Sequence, residues 1–201
     1  MIDEGYLKYR SDWTRTGALD YPEIHELNEW RRPLFGAGLI GYREAEDVGY
    51  GNLSARLDDT DRFVISGTQT GHLDAPGTEH YALVTGFDID ANTVRCEGPV
   101  QASSEALTHA ALYEVDARIR AVVHVHSDEL WVRLKGRVAT AAADAAYGTP
   151  EMARELRRLY RETDLAESGI VVMAGHESGL ISIGRNVREA AERILSQEAL
   201  R

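Results

Sequence analysis

The sequence predicts an α/β layered domain with a mainly antiparallel sheet, and two observations support this fold class. Segments with helical periodicity lie near both ends of the 201-residue chain and between strand-like segments. Between residues 50 and 98, four short β-prone segments follow one another with only short turns between them. Because parallel strands need long crossover connections, the short turns favour antiparallel pairing and argue against a doubly wound parallel sheet.

The first predicted helix covers residues 21–39, where apolar side chains recur at helical spacing and Pro22 suits a helix start. The β-prone segments that follow cover residues 52–57, 63–66, 81–87 and 93–96. Ser103, Ser104 and Glu105 then open an amphipathic helix that is expected to end near Asp116.

The remaining elements continue the alternation of strand and helix. A strand is predicted within residues 121–127, followed by a helix over 150–162, strands over 169–173 and 180–183, and a closing helix over 187–200. The chain contains no internal repeat and no linker-like segment. We therefore expect residues 1–201 to form a single domain.

Composition narrows the class of partner. The chain carries 22 basic and 33 acidic residues, a formal net charge of -11, so its surface should repel nucleic acid and anionic membranes. The N-terminal residues lack a signal-peptide pattern, and no segment has the length of a membrane span. The single cysteine, Cys96, fits a reducing compartment. These features predict a cytoplasmic protein that acts on a small molecule.

A GxGxxG pattern at residues 36–41 resembles a dinucleotide-binding fingerprint but has the wrong context. That fingerprint needs a strand before it and a helix after it, whereas here a helix precedes it and an acidic loop over residues 42–48 follows. We interpret the glycines as the end of a helix.

His124 and His126 are the most informative residues of the chain. They lie on the predicted strand within residues 121–127, and side chains two positions apart on a strand point to the same face. Two neutral imidazoles converging on one point make half of a transition-metal site. The alternative is a pair of histidines that form hydrogen bonds at a strand end.

A third histidine could complete such a site. His176 follows the strand predicted over residues 169–173 and lies between Gly175 and Gly179, which permit close approach. Alone, it could equally be a surface loop residue; with the first pair it makes a three-histidine set that leaves a position for substrate or water. The other histidines, His25, His72, His80 and His109, are interpreted as structural.

Three segments rich in small hydrogen-bond donors could bind an anion. Ser103 and Ser104 lie at a helix start, where backbone N–H groups favour negative charge, although a simple helix cap is the alternative. Residues 51–54 and 66–71 are turns with similar composition, and ordinary turn chemistry would also explain them.

Taken in order, these segments resemble the class II aldolase/adducin family from about the first helix to near the C-terminus. The residues that carry the resemblance are Gly51-Asn52-Leu53-Ser54, Ser66-Gly67, Ser103-Ser104-Glu105, His124-Val125-His126, Tyr147-Gly148-Thr149 and His176.

The resemblance implies a three-layer α/β/α fold and a homotetramer with active sites at subunit interfaces. It also implies a divalent metal, most often Zn²⁺ with Mn²⁺ or Co²⁺ as alternatives, on His124, His126 and His176. Glu105 matches the acid/base glutamate of the aldolases. The positions that hold the substrate phosphate in that family match five further residues, Asn52, Ser66, Gly67, Ser103 and Ser104.

The function implied is that of a metal-dependent lyase. It would perform aldolase-type C–C cleavage or decarboxylation through a metal-stabilised enediolate, on a small hydroxylated carbonyl substrate such as a sugar phosphate. A 4-epimerase or dehydratase would use the same site. A non-catalytic adducin-like scaffold is a further alternative. Gly49 stands where the family often has a hydroxyl residue, and Gln101-Ala102 stand where it often has a basic residue and proline.

Overall fold

The computed structural model describes residues 6–200, and a large sheet forms the middle of the protein. The strands of the protein are β1 (Arg10–Arg15), β2 (Gly41–Arg43), β3 (Val48–Tyr50), β4 (Asn52–Arg56), β5 (Phe63–Ser66), β6 (Tyr81–Asp88), β7 (Thr93–Gly98), β8 (Ala121–His126), β9 (Ala139–Thr140), β10 (Ile170–Val172) and β11 (Gly179–Gly184). Strands β2 and β3 form a separate hairpin, and the other nine form the large sheet. The α-helices are α1 (Pro22–Gly36), α2 (Ala106–Val115), α3 (Asp128–Leu134), α4 (Pro150–Glu162), α5 (Leu165–Ser168) and α6 (Val187–Glu198).

Nine strands lie side by side in the order β1-β7-β6-β5-β4-β8-β11-β10-β9. The six inner pairs are antiparallel, whereas the two outermost pairs, β1 with β7 and β9 with β10, are parallel. Short turns join β4 to β5 and β6 to β7, which requires antiparallel neighbours. The predicted mainly antiparallel sheet is therefore confirmed.

Helices cover both faces of the sheet, as the alternating side chains of its inner strand β8 show. Val122 packs in an apolar cluster with side chains of α2 and α4, whereas Val123 and Val125 pack on the opposite side with α1 and α6. All six residues of β8 are buried, as expected for a strand between two helical layers. The three-layer α/β/α architecture is thus confirmed.

The helix α2 differs from its prediction as an amphipathic helix. It begins at Ala106, with Glu105 at its N-cap, and every residue from 106 to 113 is buried. The reason is its position between the sheet and α4, where Ala110 and Ala111 take up little space and allow close packing. Its polar residues are consequently buried as well.

The structure confirms that residues 36–41 are the end of a helix and not a dinucleotide-binding motif. Helix α1 ends at Gly36, and Gly38 has a left-handed φ of 72°, as is common after a helix. The loop predicted over residues 42–48 was wrong in part, because β2 and β3 pair there as a hairpin. Strands β1 and β9 and helices α3 and α5 are further elements that the sequence patterns did not indicate. No helix within residues 6–200 is long and apolar enough to cross a membrane.

Candidate metal centre

His124 and His126 lie on β8, an inner strand of the sheet between β4 and β11. The antiparallel register places Asn52 of β4 opposite His124 and Gly179 of β11 opposite His126. Both imidazoles point to the same face of the strand, and their Nε2 atoms lie 3.1 Å apart. The convergence expected from the two-residue spacing is therefore present in the structure.

His176 reaches the same point from the turn between β10 and β11. Backbone hydrogen bonds close this turn: the His176 N–H donates to Met173 at 3.0 Å, and the Gly179 N–H donates to the His176 carbonyl at 2.9 Å. Ser178, at a left-handed φ of 65°, donates its hydroxyl to Asp128 at the start of α3. The Nε2 atom of His176 lies 2.8 Å from that of His126.

The three imidazoles form a group that could hold a metal ion. Their candidate ligand atoms all lie within 4.8 Å of one another, and all three side chains are buried. Nitrogen ligands of one tetrahedral zinc ion are separated by about 3.3 Å, given a Zn–N bond of about 2.0–2.1 Å. The ring planes are inclined to each other by 56° to 85°, so the nitrogens approach from different directions.

Hydrogen bonding and burial both favour the neutral, metal-binding form of these rings. The Nδ1 atom of His124 lies 3.1 Å from the Leu180 carbonyl, which can only accept, so Nδ1 carries the proton and Nε2 presents its lone pair. Burial, followed by the neighbouring histidines, holds the pKa of His124 and that of His176 well below the usual range. Both imidazoles are therefore uncharged at neutral pH.

Glu105 lines the same cleft from the start of α2 and is only 2% exposed. The loop before it is fixed by Tyr9, whose hydroxyl lies 3.1 Å from the Ala102 carbonyl and 2.9 Å from that of Ser103. The cleft is lined by Gly49, Tyr50, Gly51, Asn52, Gly67, Gln69, Thr70, Gly71, Ser103, Ser104, Glu105, His124, Tyr147 and His176. The buried carboxylate thus lines the same cleft as His124 and His176 of the three-histidine group, a combination suited to metal-assisted proton transfer.

Only some of the residues predicted to bind an anion line the cleft. Asn52, Ser103 and Ser104 line the cleft, and the Asn52 Oδ1 atom has no hydrogen-bond partner among residues 6–200. Gly67 also lines it, but its N–H already donates to His80 at 2.8 Å. Ser66 is fully buried outside the lining, with its Oγ 3.2 Å from the Leu53 nitrogen.

Two tyrosines and two basic residues near the imidazoles were not among the predicted site residues. The Tyr147 ring packs edge-on against His176 with the centroids 4.4 Å apart, and Tyr50 lies 5.5 Å from His126. Lys8 and Arg43 also act on His176, since their positive charges contribute to lowering its pKa after burial and the other imidazoles.

Different signals could have identified these neighbours. Tyr147 belongs to a segment that carried the family resemblance; Gly148 after it has a φ of 66°, and a Cβ there would lie 2.6 Å from the Ser104 carbonyl oxygen. Lys8 and Arg43 have no comparable local signal, because they precede β1 and lie on β2, elements that the sequence patterns did not indicate.

Comparison with known proteins agrees with this geometry. Residues 38–200 match the family model described as Class II Aldolase and Adducin N-terminal domain. No curated protein sequence matches the chain.

Among solved structures, an L-fuculose 1-phosphate aldolase is 20% identical over 91% of this chain and 86% of its own, with a TM-score of 0.66. A sugar-phosphate aldolase from Thermotoga maritima is 16% identical over 88% and 90%, also with a TM-score of 0.66. YgbL from Escherichia coli, described as a candidate aldolase, epimerase or decarboxylase, is 19% identical over 88% and 84%, with a TM-score of 0.64. At these identities the likeness is one of fold. The family model, which covers most of the chain, shows that this protein belongs to the class II aldolase and adducin family.

Proposed function

We propose that the protein is a metal-dependent lyase that performs aldolase-type C–C cleavage or decarboxylation on a small hydroxylated carbonyl substrate, with a sugar phosphate as the first candidate. The observation that carries this proposal is a group of three buried imidazoles, two of which, His124 and His176, line the same cleft as the buried carboxylate of Glu105. Membership of the family supports it, as do the aldolase names of the structural relatives.

In this proposal His124, His126 and His176 hold the metal, with Zn²⁺ as the first candidate and Mn²⁺ or Co²⁺ as alternatives. When bound, a divalent cation supplies Lewis-acid chemistry that polarises a substrate carbonyl. In cleavage, Glu105 removes the proton of the hydroxyl group on the carbon that leaves as a carbonyl and returns it to the carbon that keeps the electron pair. In decarboxylation, a protonated Glu105 gives its proton to that carbon. Asn52, Ser103 and Ser104 line the cleft and orient the substrate. The predicted pair Ser66 and Gly67 supports them through hydrogen bonds to the neighbouring backbone.

Two variants separate metal binding from proton transfer. We expect His124→Ala to lose both bound metal and turnover. Glu105→Gln should keep its metal content while turnover falls by at least about 100-fold, the usual contribution of a positioned acid/base group. Glu97→Gln, at an exposed position of β7, is the matched control and should behave as the wild type. Metal content is measured on protein purified without chelators.

Product analysis on a panel of phosphorylated and unphosphorylated hydroxyketones distinguishes the reactions that such a site supports. Cleavage yields two fragments, decarboxylation yields CO₂, 4-epimerisation conserves mass and dehydration removes water. Failure to bind zinc, manganese or cobalt at saturation, together with no turnover, would contradict the lyase and favour the adducin-like scaffold.

We further propose that residues 1–201 form one domain and that four copies assemble with their clefts at subunit interfaces. The shared sheet supports the first point, because it contains β1 near one end of the described chain and β11 near the other. Analytical ultracentrifugation would test the second, since a stable monomer would contradict a tetramer.

A further inference from the structure

Two basic side chains are stacked on the two tyrosines that contact the histidine group. The Nζ atom of Lys8 lies 3.7 Å from the centroid of the Tyr147 ring, which itself packs against His176. The Arg43 Cζ atom lies 5.6 Å from the centroid of the Tyr50 ring, which packs against His126. Each cation is therefore held one aromatic ring away from an imidazole.

These two cations come from separate parts of the chain. Lys8 precedes β1, at one edge of the large sheet, whereas Arg43 belongs to the β2–β3 hairpin. Both are half-buried, in a protein whose formal net charge is -11. Tyr50 and Tyr147 line the cleft, so each cation lies next to its wall, and positive charge there favours the binding of an anion to an otherwise acidic protein.

The charge balance of the site points in the same direction. Neutral imidazoles do not offset the charge of a divalent cation, and Glu105 supplies only one negative charge in the cleft. Two of the predicted phosphate-binding residues are occupied elsewhere: Gly67 donates to His80, and the Ser66 hydroxyl contacts Leu53. A bound divalent cation would thus leave the cleft with a net positive charge that favours an anion, and further contacts to that anion have to come from other side chains.

We propose that Lys8 and Arg43 form a cationic rim, one residue at each tyrosine, that recognises an oxyanion group of the substrate. The rim selects a phosphate or carboxylate of a substrate held at the three histidines, and so rests on the function proposed above. It contributes to specificity and lies outside the proton-transfer chemistry of Glu105.

The test uses the zinc-loaded full-length protein, isothermal titration calorimetry and three probes: inorganic phosphate, glycolate and neutral hydroxyacetone. We expect Lys8→Met and Arg43→Met each to weaken binding of an anionic probe by about tenfold, the range for a lost charged hydrogen bond. Hydroxyacetone binding should change by less than about twofold. The anion that shows the larger loss identifies whether the rim serves phosphate or carboxylate.

Lys135→Met is the matched control, because Lys135 lies 3.9 Å from the centroid of the Trp131 ring, which, unlike Tyr50 and Tyr147, does not line the cleft. Its anion binding should equal that of the wild type. Lys8→Arg and Arg43→Lys keep the charge and should restore most of the affinity, which a merely structural role would not require.

If Lys8→Met and Arg43→Met both keep the wild-type affinity for both anions, the proposed cationic rim is wrong. Equal losses for the anions and for hydroxyacetone would also overturn it. Zinc content, measured on the same samples, keeps the two proposals separate: a wild-type protein that binds no zinc contradicts the metal site, whereas zinc-loaded variants with unaltered anion affinity contradict only the rim.

Discussion

At the scale of single residues, the position of His176 depends on the absence of a side chain at Gly179. A Cβ atom at Gly179 would lie 2.3 Å from the His176 Cδ2 atom, which is bonded to the candidate ligand atom Nε2. We expect Gly179→Ala to displace the ring and weaken zinc binding by about 10- to 100-fold, as changes to groups that orient metal ligands do. Competition with a chromogenic chelator measures this affinity.

Gly36→Ala is the control for that substitution, because a Cβ at Gly36, the last residue of α1, meets no atom within 4 Å. Zinc affinity should be unaffected by it. Wild-type zinc affinity in Gly179→Ala would contradict the role given to this close approach.

The residues of the candidate site differ in how far sequence could predict them. His124 and His126 were predictable, since a two-residue spacing on a strand fixes their common face without knowledge of the rest of the fold. His176 needed the pairing of β11 with β8 to bring its turn to the same point. Lys8 and Arg43 could not be predicted, because their positions depend on tertiary packing between distant segments.

At the scale of elements, a line of buried polar residues joins α2 to the strand β4. His109 and Tyr113, one turn apart on α2, both lie 2.7 Å from the Ser54 Oγ atom, His109 through Nδ1 and Tyr113 through its hydroxyl. Arg56, two residues along β4, donates to the Tyr113 carbonyl and to that of Ile119 at 3.1 Å. This network fixes the helix that begins directly after Glu105 against the sheet.

The network predicts acid sensitivity, because burial lowers the pKa of His109 from 6.5 to about 3. Above about pH 6.5, both folded and unfolded chains carry a neutral His109, so the residue adds no pH dependence. Below that value only the unfolded chain binds the proton. The free energy of unfolding should therefore fall by up to about 1.4 kcal/mol per pH unit between pH 6.5 and 3 from this residue alone.

Urea unfolding of metal-free protein in EDTA at pH 7, 6 and 5 measures this dependence. His109→Gln should flatten the pH profile between pH 6 and 5 by about 1 kcal/mol per unit. His25→Gln, at an exposed position of α1, should not. Parallel profiles for the wild type and His109→Gln would contradict a neutral buried His109.

A helix or strand was predictable from the sequence when its own residues specify its type and its ends. The helix over 150–162 was predicted with its observed bounds, since Thr149 caps it, Pro150 begins it and its apolar residues form one stripe. The strands β2 and β3, with three residues each, are too short for a periodic pattern, and β1 is stabilised by its parallel pairing with β7. The burial of α2 on all sides was missed because it arises from α4, which packs over the helix on the side away from the sheet.

At the scale of the whole protein, the layered architecture and its antiparallel sheet were predictable from the order and spacing of elements. The arrangement of the nine strands was not, because β8 pairs with β4 and β11 rather than with its sequence neighbours β7 and β9. This non-local pairing brings the turn that carries His176 next to the strand that carries His124 and His126.

Because the three histidines link the inner strand β8 to the β10–β11 turn, metal binding should stabilise the whole protein against unfolding. A ligand at 100 times its dissociation constant adds about 2.7 kcal/mol, provided that the unfolded chain binds it weakly. For a chain of about 200 residues, this corresponds to a rise in Tm of about 5–10 °C. Differential scanning calorimetry with and without zinc measures the shift. His124→Ala and His176→Ala should abolish it, whereas His25→Ala, which alters an exposed imidazole on α1, should keep it. An equal shift in His124→Ala would show that zinc acts at another site and would remove this group from the role of metal centre.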